Sequence, residues 1–280
     1  MKLACISVLK KSTVKTFTVT TLSLAISLSF PLKALAQDSV QHAYNEQGGS
    51  QWGLGVAVLS KQIAYTDMDR DTMALPFVTY ENEYIRWFGP EIGIKLSTFE
   101  LSNSQQISFN ISAGYDFSGY DKDDIKDTLI LNGMDERDGS FEAGAEIEWK
   151  TPWVDVNAKW MADVSGDRKG TRFGLDFEKS WGFGENVILS AHMGATWLDD
   201  KFVDYQYGVR PEEALTNRAA YVGESTVNIE YGVRGAYLID MNHSILVDVG
   251  ITSLGNEIKD SPLVDTSTEN NITLFYMYNF

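Results

Sequence analysis

The stretch TVNIEYGVRGAYLIDMNHSILVDVGITS, residues 226–253, decides the fold. Taken two residues at a time, Val227, Ile229, Tyr231, Val233, Tyr237 and Ile239 share one side with Gly235. Asn228, Glu230, Gly232, Arg234 and Ala236 share the other. Asp240-Met241-Asn242-His243 interrupts the run. Ile245, Val247, Val249 and Ile251 then alternate with Asp248, Gly250 and Thr252. Side chains of a strand point alternately to its two faces, so this is a β-hairpin with one apolar and one polar, charged face. Each arm is about ten residues, long enough to cross a bilayer when tilted. A soluble sandwich would bury the apolar face; a membrane barrel turns it to lipid and keeps the charges inside.

The ends of the chain favour the barrel. Lys2, Lys10, Lys11 and Lys15 precede an uncharged, apolar stretch from Thr16 to Phe30, and Ala34-Leu35-Ala36 is a small-x-small site. Residues 1–36 therefore read as a cleavable export signal. The stretch is too short and too rich in hydroxyls for a helical anchor. Cys5, the only cysteine, lies in this leader, so residues 37–280 offer no disulfide or thiolate ligand. Residues 37–50 read as a flexible periplasmic lead-in and 51–280 as the barrel. Removing five leader lysines leaves 18 basic against 39 acidic side chains, a balance of −21, which argues against nucleic acid as a partner. At the far end Ile272, Leu274, Tyr276, Tyr278 and Phe280 share one face. A closing strand of this kind, ending on an aromatic residue, resembles the C-terminal signature of bacterial outer-membrane barrels.

Between the ends further strands follow. Trp52 to Val58 alternates in the same way; Met73 to Tyr80 and a short piece from Tyr84 to Phe88 read as strands, and Ile92 to Ser97 alternates after the Gly89-Pro90 break, the least regular part of the chain. Pro76 is expected near a strand end or a bulge. From Gln106 onward each segment alternates cleanly, and short connections at 81–82, 151–152, 184–186 and 240–243 alternate with mostly longer ones. Bacterial barrels have short periplasmic turns and longer outer loops, and both termini on one side require an even strand count. The expectation is a closed antiparallel transmembrane β-barrel, all-β, of about 12 strands, with 10 as the fallback. An open sheet would leave unpaired backbone in hydrocarbon at several kcal/mol per group. Trp149, Trp153 and Trp181 near the short turns, Trp197 near the long loops and Phe280 at the end form the expected aromatic girdles.

The inward face carries the candidate site. Glu142, Glu146 and Glu148 lie on a strand beside Asp155, Lys159 and Asp163, and next to these come Arg172, Asp176 and Glu178. His192, Glu230, Arg234 and Asp248 follow. Charges of both signs on adjacent strands pair and hydrogen-bond. Two readings follow: a lumen filled by a salt-bridged network, or a narrow pore that favours cations because acids outnumber bases. Neither Gly-x-Ser-x-Gly nor His-Glu-x-x-His occurs. Of His42, His192 and His243, only His192 sits mid-strand, where it reads as part of the polar interior rather than half of a Ser–His pair. Asp67-Met68-Asp69-Arg70-Asp71 has the spacing of the start of a calcium loop. Thr72 stands where its glycine belongs, so it reads as a solvated loop. No catalytic, cofactor-binding or metal-binding residue is assigned.

Several segments in order carry a family resemblance: Leu131-Asn132-Gly133-Met134-Asp135, Asp163-Val164-Ser165-Gly166, Tyr207-Gly208-Val209 before Pro211-Glu212-Glu213-Ala214, Asp260-Ser261-Pro262-Leu263-Val264, and Tyr278-Asn279-Phe280. This set resembles the MltA-interacting protein family, MipA/OmpV. The resemblance implies a non-enzymatic protein of the outer membrane, in contact with its lipid. It also implies a scaffold that bridges a lytic murein transglycosylase to a murein synthase. Pore and surface adhesin, the latter through loops 119–138 and 199–224, are the alternative readings.

Overall fold

The first strand pairs with the last. In the computed structural model, which describes residues 50–166 and 168–280, β1 (Gln51–Gln62) runs antiparallel to β12 (Thr268–Asn279), with Gly53 opposite Asn279 and Gln62 opposite Asn270. The expected leader and almost all of the lead-in lie outside the described residues. Between these strands the chain forms β2 (Asp71–Glu81), β3 (Ile85–Phe88), β4 (Glu91–Ser102), β5 (Gln105–Asp116), β6 (Ser140–Lys150) and β7 (Asp155–Asp163). It continues through β8 (Thr171–Phe183), β9 (Val187–Leu198), β10 (Thr226–Leu238) and β11 (His243–Ser253). Each strand pairs with its sequence neighbours, and the twelve close into one antiparallel barrel.

The two-residue alternation sets the faces. Trp52, Leu54, Val56 and Val58 are exposed on the outer wall, while Ala57 and Leu59, alternating with the last of them, are buried inside. Ile229, Tyr231 and Val233 repeat this on β10, with Arg234 and Ala236 buried. Among the described residues no second protein layer covers the apolar side chains outside. In lipid that exposure is the favourable state, and closure pairs the strand backbones. Trp149, Trp153, Trp181, Trp197 and Phe280 all face outward, 40% to 70% exposed.

The wall has one irregular place. β3 spans four residues and pairs with β2 only at Thr79–Glu81. The β3–β4 connection, Gly89-Pro90, is two residues long on the side where the other loops are long. Pro76 therefore sits mid-strand, opposite Val56, rather than near a strand end or bulge. Gly89 N–H donates to Val78 O at 3.1 Å, so Val78 turns its backbone away from β1. Pro76, two residues on, turns the same way, above the end of β3. Its missing N–H falls where no described strand needs it.

On the long-loop side the connections carry their own structure. Helix α1 (Lys122–Asp127) lies in loop 117–139, α2 (Asp200–Tyr207) in loop 199–225 and α3 (Asn256–Lys259) in loop 254–267. The Pro211–Glu213 segment forms a 3-10 turn with proline in its first turn.

Candidate functional site

The lumen divides into an ionic sector and an apolar sector. In the ionic sector Arg86 of β3 reaches Glu146 (3.3 Å) and Glu148 (3.2 Å) of β6. Asn157 donates to the other Glu146 oxygen at 2.7 Å. Lys159 stands in register with Glu146, yet its Nζ lies 2.7 Å from both oxygens of Glu91 on β4. Arg172 donates twice to Glu142, at 3.0 and 2.6 Å. Arg168 comes down from loop 164–170 to Asp116 (2.7 Å) and Glu142 (3.4 Å). Farther round, Arg234 bridges Asp248 (2.8 Å) and Glu178 (3.1 Å), and His192 Nε2 lies 3.3 Å from Asp248. Asp176 and Glu230 flank Gly194 in register. A side chain at Gly194 would meet Asp176 Oδ1 at 2.1 Å, so the glycine is what lets this carboxylate lie flat across the strand.

Two expected lumen residues also hold turns at the ends of β7. Asp163, at the end of β7, accepts backbone N–H groups from Ser165 (2.7 Å) and Lys169 (2.6 Å), so it staples its loop. Asp155 accepts the Thr151 N–H at 3.2 Å and helps close the 151–154 turn. The sequence reading missed Arg86, Glu91 and Arg168, because β3 and β4 were poorly legible and Arg168 lies in a loop. Ser190 donates to Ser180 at 2.8 Å, so the serine nearest His192 in sequence has another partner.

The apolar sector fills the rest. Ala57, Leu59, Ile188, Ala236, Leu246 and Phe275 are buried together, with Met73, Phe77 and Phe88 against them. Phe275 meets Phe77 edge-on at 5.6 Å between ring centres. Buried hydrophobic packing and paired charges together occupy the interior.

The outer mouth is covered as well. Ala64, Tyr65, Tyr120, Leu131, Val203, Tyr207, Val209, Leu254, Ile258 and Leu263 form one buried core drawn from the loops. Polar contacts stitch it. Tyr65 donates to Gln206 O (3.0 Å), Ser261 to Tyr207 O (2.6 Å) and Gln206 to Ser118 (2.8 Å). Arg218, 1% exposed, donates to the carbonyls of Ile130, Asn132 and Glu213. Arg137 binds both oxygens of Glu213 at 2.9 Å. These two arginines tie loop 199–225 to loop 117–139.

Glu213 gives the cap a pH dependence. Burial pushes its carboxyl upward, but the N–H groups of Arg210 and Asp135 and the Arg137 guanidinium outweigh burial and hold it below the usual range. A depressed folded value stabilises the cap above the ordinary glutamate value. That stability is lost as pH falls through the lower folded value. Limited proteolysis of the intact barrel should leave loops 117–139 and 199–225 uncut at pH 7 and at pH 5. Cutting should begin only below about pH 4. Cutting that is already complete at pH 5 would contradict this.

Known proteins add the following. The chain matches the family described as MltA-interacting protein MipA over residues 53–280. It is 24% identical over 240 residues to the outer membrane protein OmpV of Vibrio cholerae, covering 85% of this chain and 89% of that protein. It is 23% identical over 245 residues to the MltA-interacting protein of Escherichia coli K12, covering 86% and 93%. Among solved structures, the NanC porin aligns over 80% of this chain and 98% of its own, with a TM-score of 0.39 and 7% identity.

Proposed function

This chain belongs to the MltA-interacting protein MipA family of the outer membrane, and from that premise we propose a non-enzymatic scaffold that docks peptidoglycan-remodelling enzymes on its periplasmic rim. The partners are a lytic murein transglycosylase and a murein synthase. The observation that supports this reading is an interior crossed by paired charges and packed side chains beneath a loop-covered outer mouth. That favours a plugged lumen, with the rim as the working surface.

That rim offers a specific element. β3 pairs with β4 only from Glu91 to Ile94, and β4 then runs on to Ser102 with β5 alone beside it. Its other edge is unpaired by any described strand, and Phe99 and Leu101 are exposed on it. An open edge with apolar side chains suits an extended segment of a partner.

The test is a pull-down of murein enzymes from solubilised envelopes with the full-length protein. Thr98 and Ser108 are paired, so Phe99–Ile107 can be replaced by an Asn-Gly turn with the hairpin intact above it. Enrichment should fall about tenfold, while assembly of the barrel is unchanged. No enrichment by the wild-type protein over an unrelated barrel would sink the scaffold reading. In planar bilayers the protein should be silent; discrete, cation-selective steps would favour the pore reading instead.

A further inference from the structure

The outer wall carries a single charge. Within the twelve strands, every Lys, Arg, Asp and Glu but one stands on the register face that looks into the lumen. The exception is Lys179 of β8. It shares the outward face with Phe177, Trp181 and Phe183 and stands opposite the exposed Ala191 of β9. Residues 37–280 hold 39 acidic side chains against 18 basic, yet the ion turned to lipid is a cation. A lysine on the lipid face is costly at the bilayer midplane and nearly neutral at the interface, so its height on the wall decides its role.

The neighbouring strand fixes that height. β7 begins at Asp155, opposite Glu178, so Lys179 stands where β7 gives way to the 151–154 turn, on the periplasmic side. Its ammonium reaches this turn and donates to Pro152 O at 2.8 Å. An ammonium carries three N–H donors, and this bond uses one. Two tryptophans frame it. Trp153 follows Pro152 and is 70% exposed; Trp181, two residues along β8, is 47% exposed. Neither indole N–H meets an acceptor among the described residues. A lysine stem lying on an apolar wall, with its head among tryptophans, marks the headgroup level of a bilayer. On the hydrocarbon side, small Ala191 opposite Lys179 leaves a dip beside the exposed Phe177 and Met193, where an acyl chain can lie.

We propose that Lys179, with Trp153 and Trp181, forms a site for the headgroup phosphate of an anionic phospholipid in the periplasmic leaflet. The ammonium pairs with the phosphate, the indole N–H groups donate to its oxygens, and one acyl chain rests against Ala191 and Phe177. A zwitterionic headgroup brings its own ammonium, which competes with Lys179 for the phosphate; an anionic one does not. The site lies on the lipid-facing wall and does not rest on the docking reading. A lysine that only tied β8 to the 151–154 turn would affect stability and leave lipid preference alone, so lipid preference is the readout.

The test titrates the full-length protein, in a neutral detergent, with dioleoyl phosphatidylglycerol or dioleoyl phosphatidylcholine and counts bound lipids by native mass spectrometry. The first phosphatidylglycerol should bind about fivefold more tightly than the first phosphatidylcholine. Glycerol phosphate, which has the phosphate without the chains, should not compete. Lys179→Gln should erase the preference and Lys179→Arg should keep it. Lys201→Gln, at an exposed position of the outer loops, should leave it unchanged. Trp153→Phe with Trp181→Phe keeps the rings but removes both indole donors. It should lower phosphatidylglycerol affinity about twofold, and it covers the case in which Lys179→Gln does not assemble. Migration of the folded barrel on unheated gels checks assembly. Equal affinity of the wild-type protein for the two lipids, a preference unmoved in the assembled variants, or full competition by glycerol phosphate would each overturn the proposal.

Discussion

Arg168→Leu should lower the stability of the refolded barrel by about 3–5 kcal/mol, the largest effect of any single loop substitution. The Arg168 side chain is 0% exposed, as is Asp116, and Glu142 is 2% exposed. Its guanidinium also donates to Ser118 at 3.0 Å and lies 4.3 Å from the centre of the Phe202 ring. It joins three things at once: the top of β5, the top of β6 and helix α2 of the cap. Leucine removes the charge and leaves Asp116 and Glu142 buried with Arg172 as the one nearby cation shared between them. Two buried carboxylates against one cation are under-compensated, which costs more than the loss of one surface attraction. Urea unfolding followed by tryptophan emission gives the number. Arg168→Lys restores the charge without the planar fork and should recover part of the loss. A change below about 1 kcal/mol for the leucine variant would mean that the pair is solvated and that the lumen is open to water at this level.

Phe275→Ala should cost a similar amount, about 3–5 kcal/mol, through the space it leaves. Phe275 is 5% exposed on the inner face of β12, wedged between Phe77 and Phe88. Its neighbours there are hydrocarbon, so water entering the space finds few partners and does not offset the lost packing. The adjacent Leu274 points the other way and is 43% exposed to lipid. Leu274→Ala therefore serves as the matched control and should cost clearly less, because acyl chains fill the gap. Equal costs for the two variants would show that the interior is not packed at this level.

The fold was readable where the inner face is polar or small. A strand that turns Val233 to lipid and Arg234 to the lumen writes period two into the sequence, and nine of the twelve strands carry that signal plainly; β2 does not, because Met73 and Phe77 on its inner side are apolar too. β3 does not, because four residues are too few to establish a period. β4 does not, because its register shifts between Lys95 and Ser97 and again between Glu100 and Ser102. The partners missed in the lumen come from there. Arg86 meets Glu146 across 60 residues of sequence, and Lys159 meets Glu91 across 68. Such contacts are set by barrel closure, to which local pattern is blind. The sequence put these charges on adjacent strands, and the register sets Arg234 opposite Asp248 and Glu146 opposite Lys159. Neither pattern nor register tells that the Lys159 side chain crosses to Glu91 on β4. The cap was equally hidden: its core draws single residues from separate loops, each of which looks polar and acidic when taken alone.

The seam between β1 and β12 has a consequence for how the molecule is made. Gly53 and Asn279 are neighbours in space with more than two hundred residues between them along the chain, and no local hairpin can substitute for that contact. Until Thr268–Asn279 are in place, the growing sheet carries two bare edges, each a template for a neighbouring chain. Contacts of such long range make closure slow, because the entropy of bringing distant segments together is lost before any pairing rewards it. A protein built this way invites help at the moment of zippering, and its most dangerous state is the one a single strand short of complete.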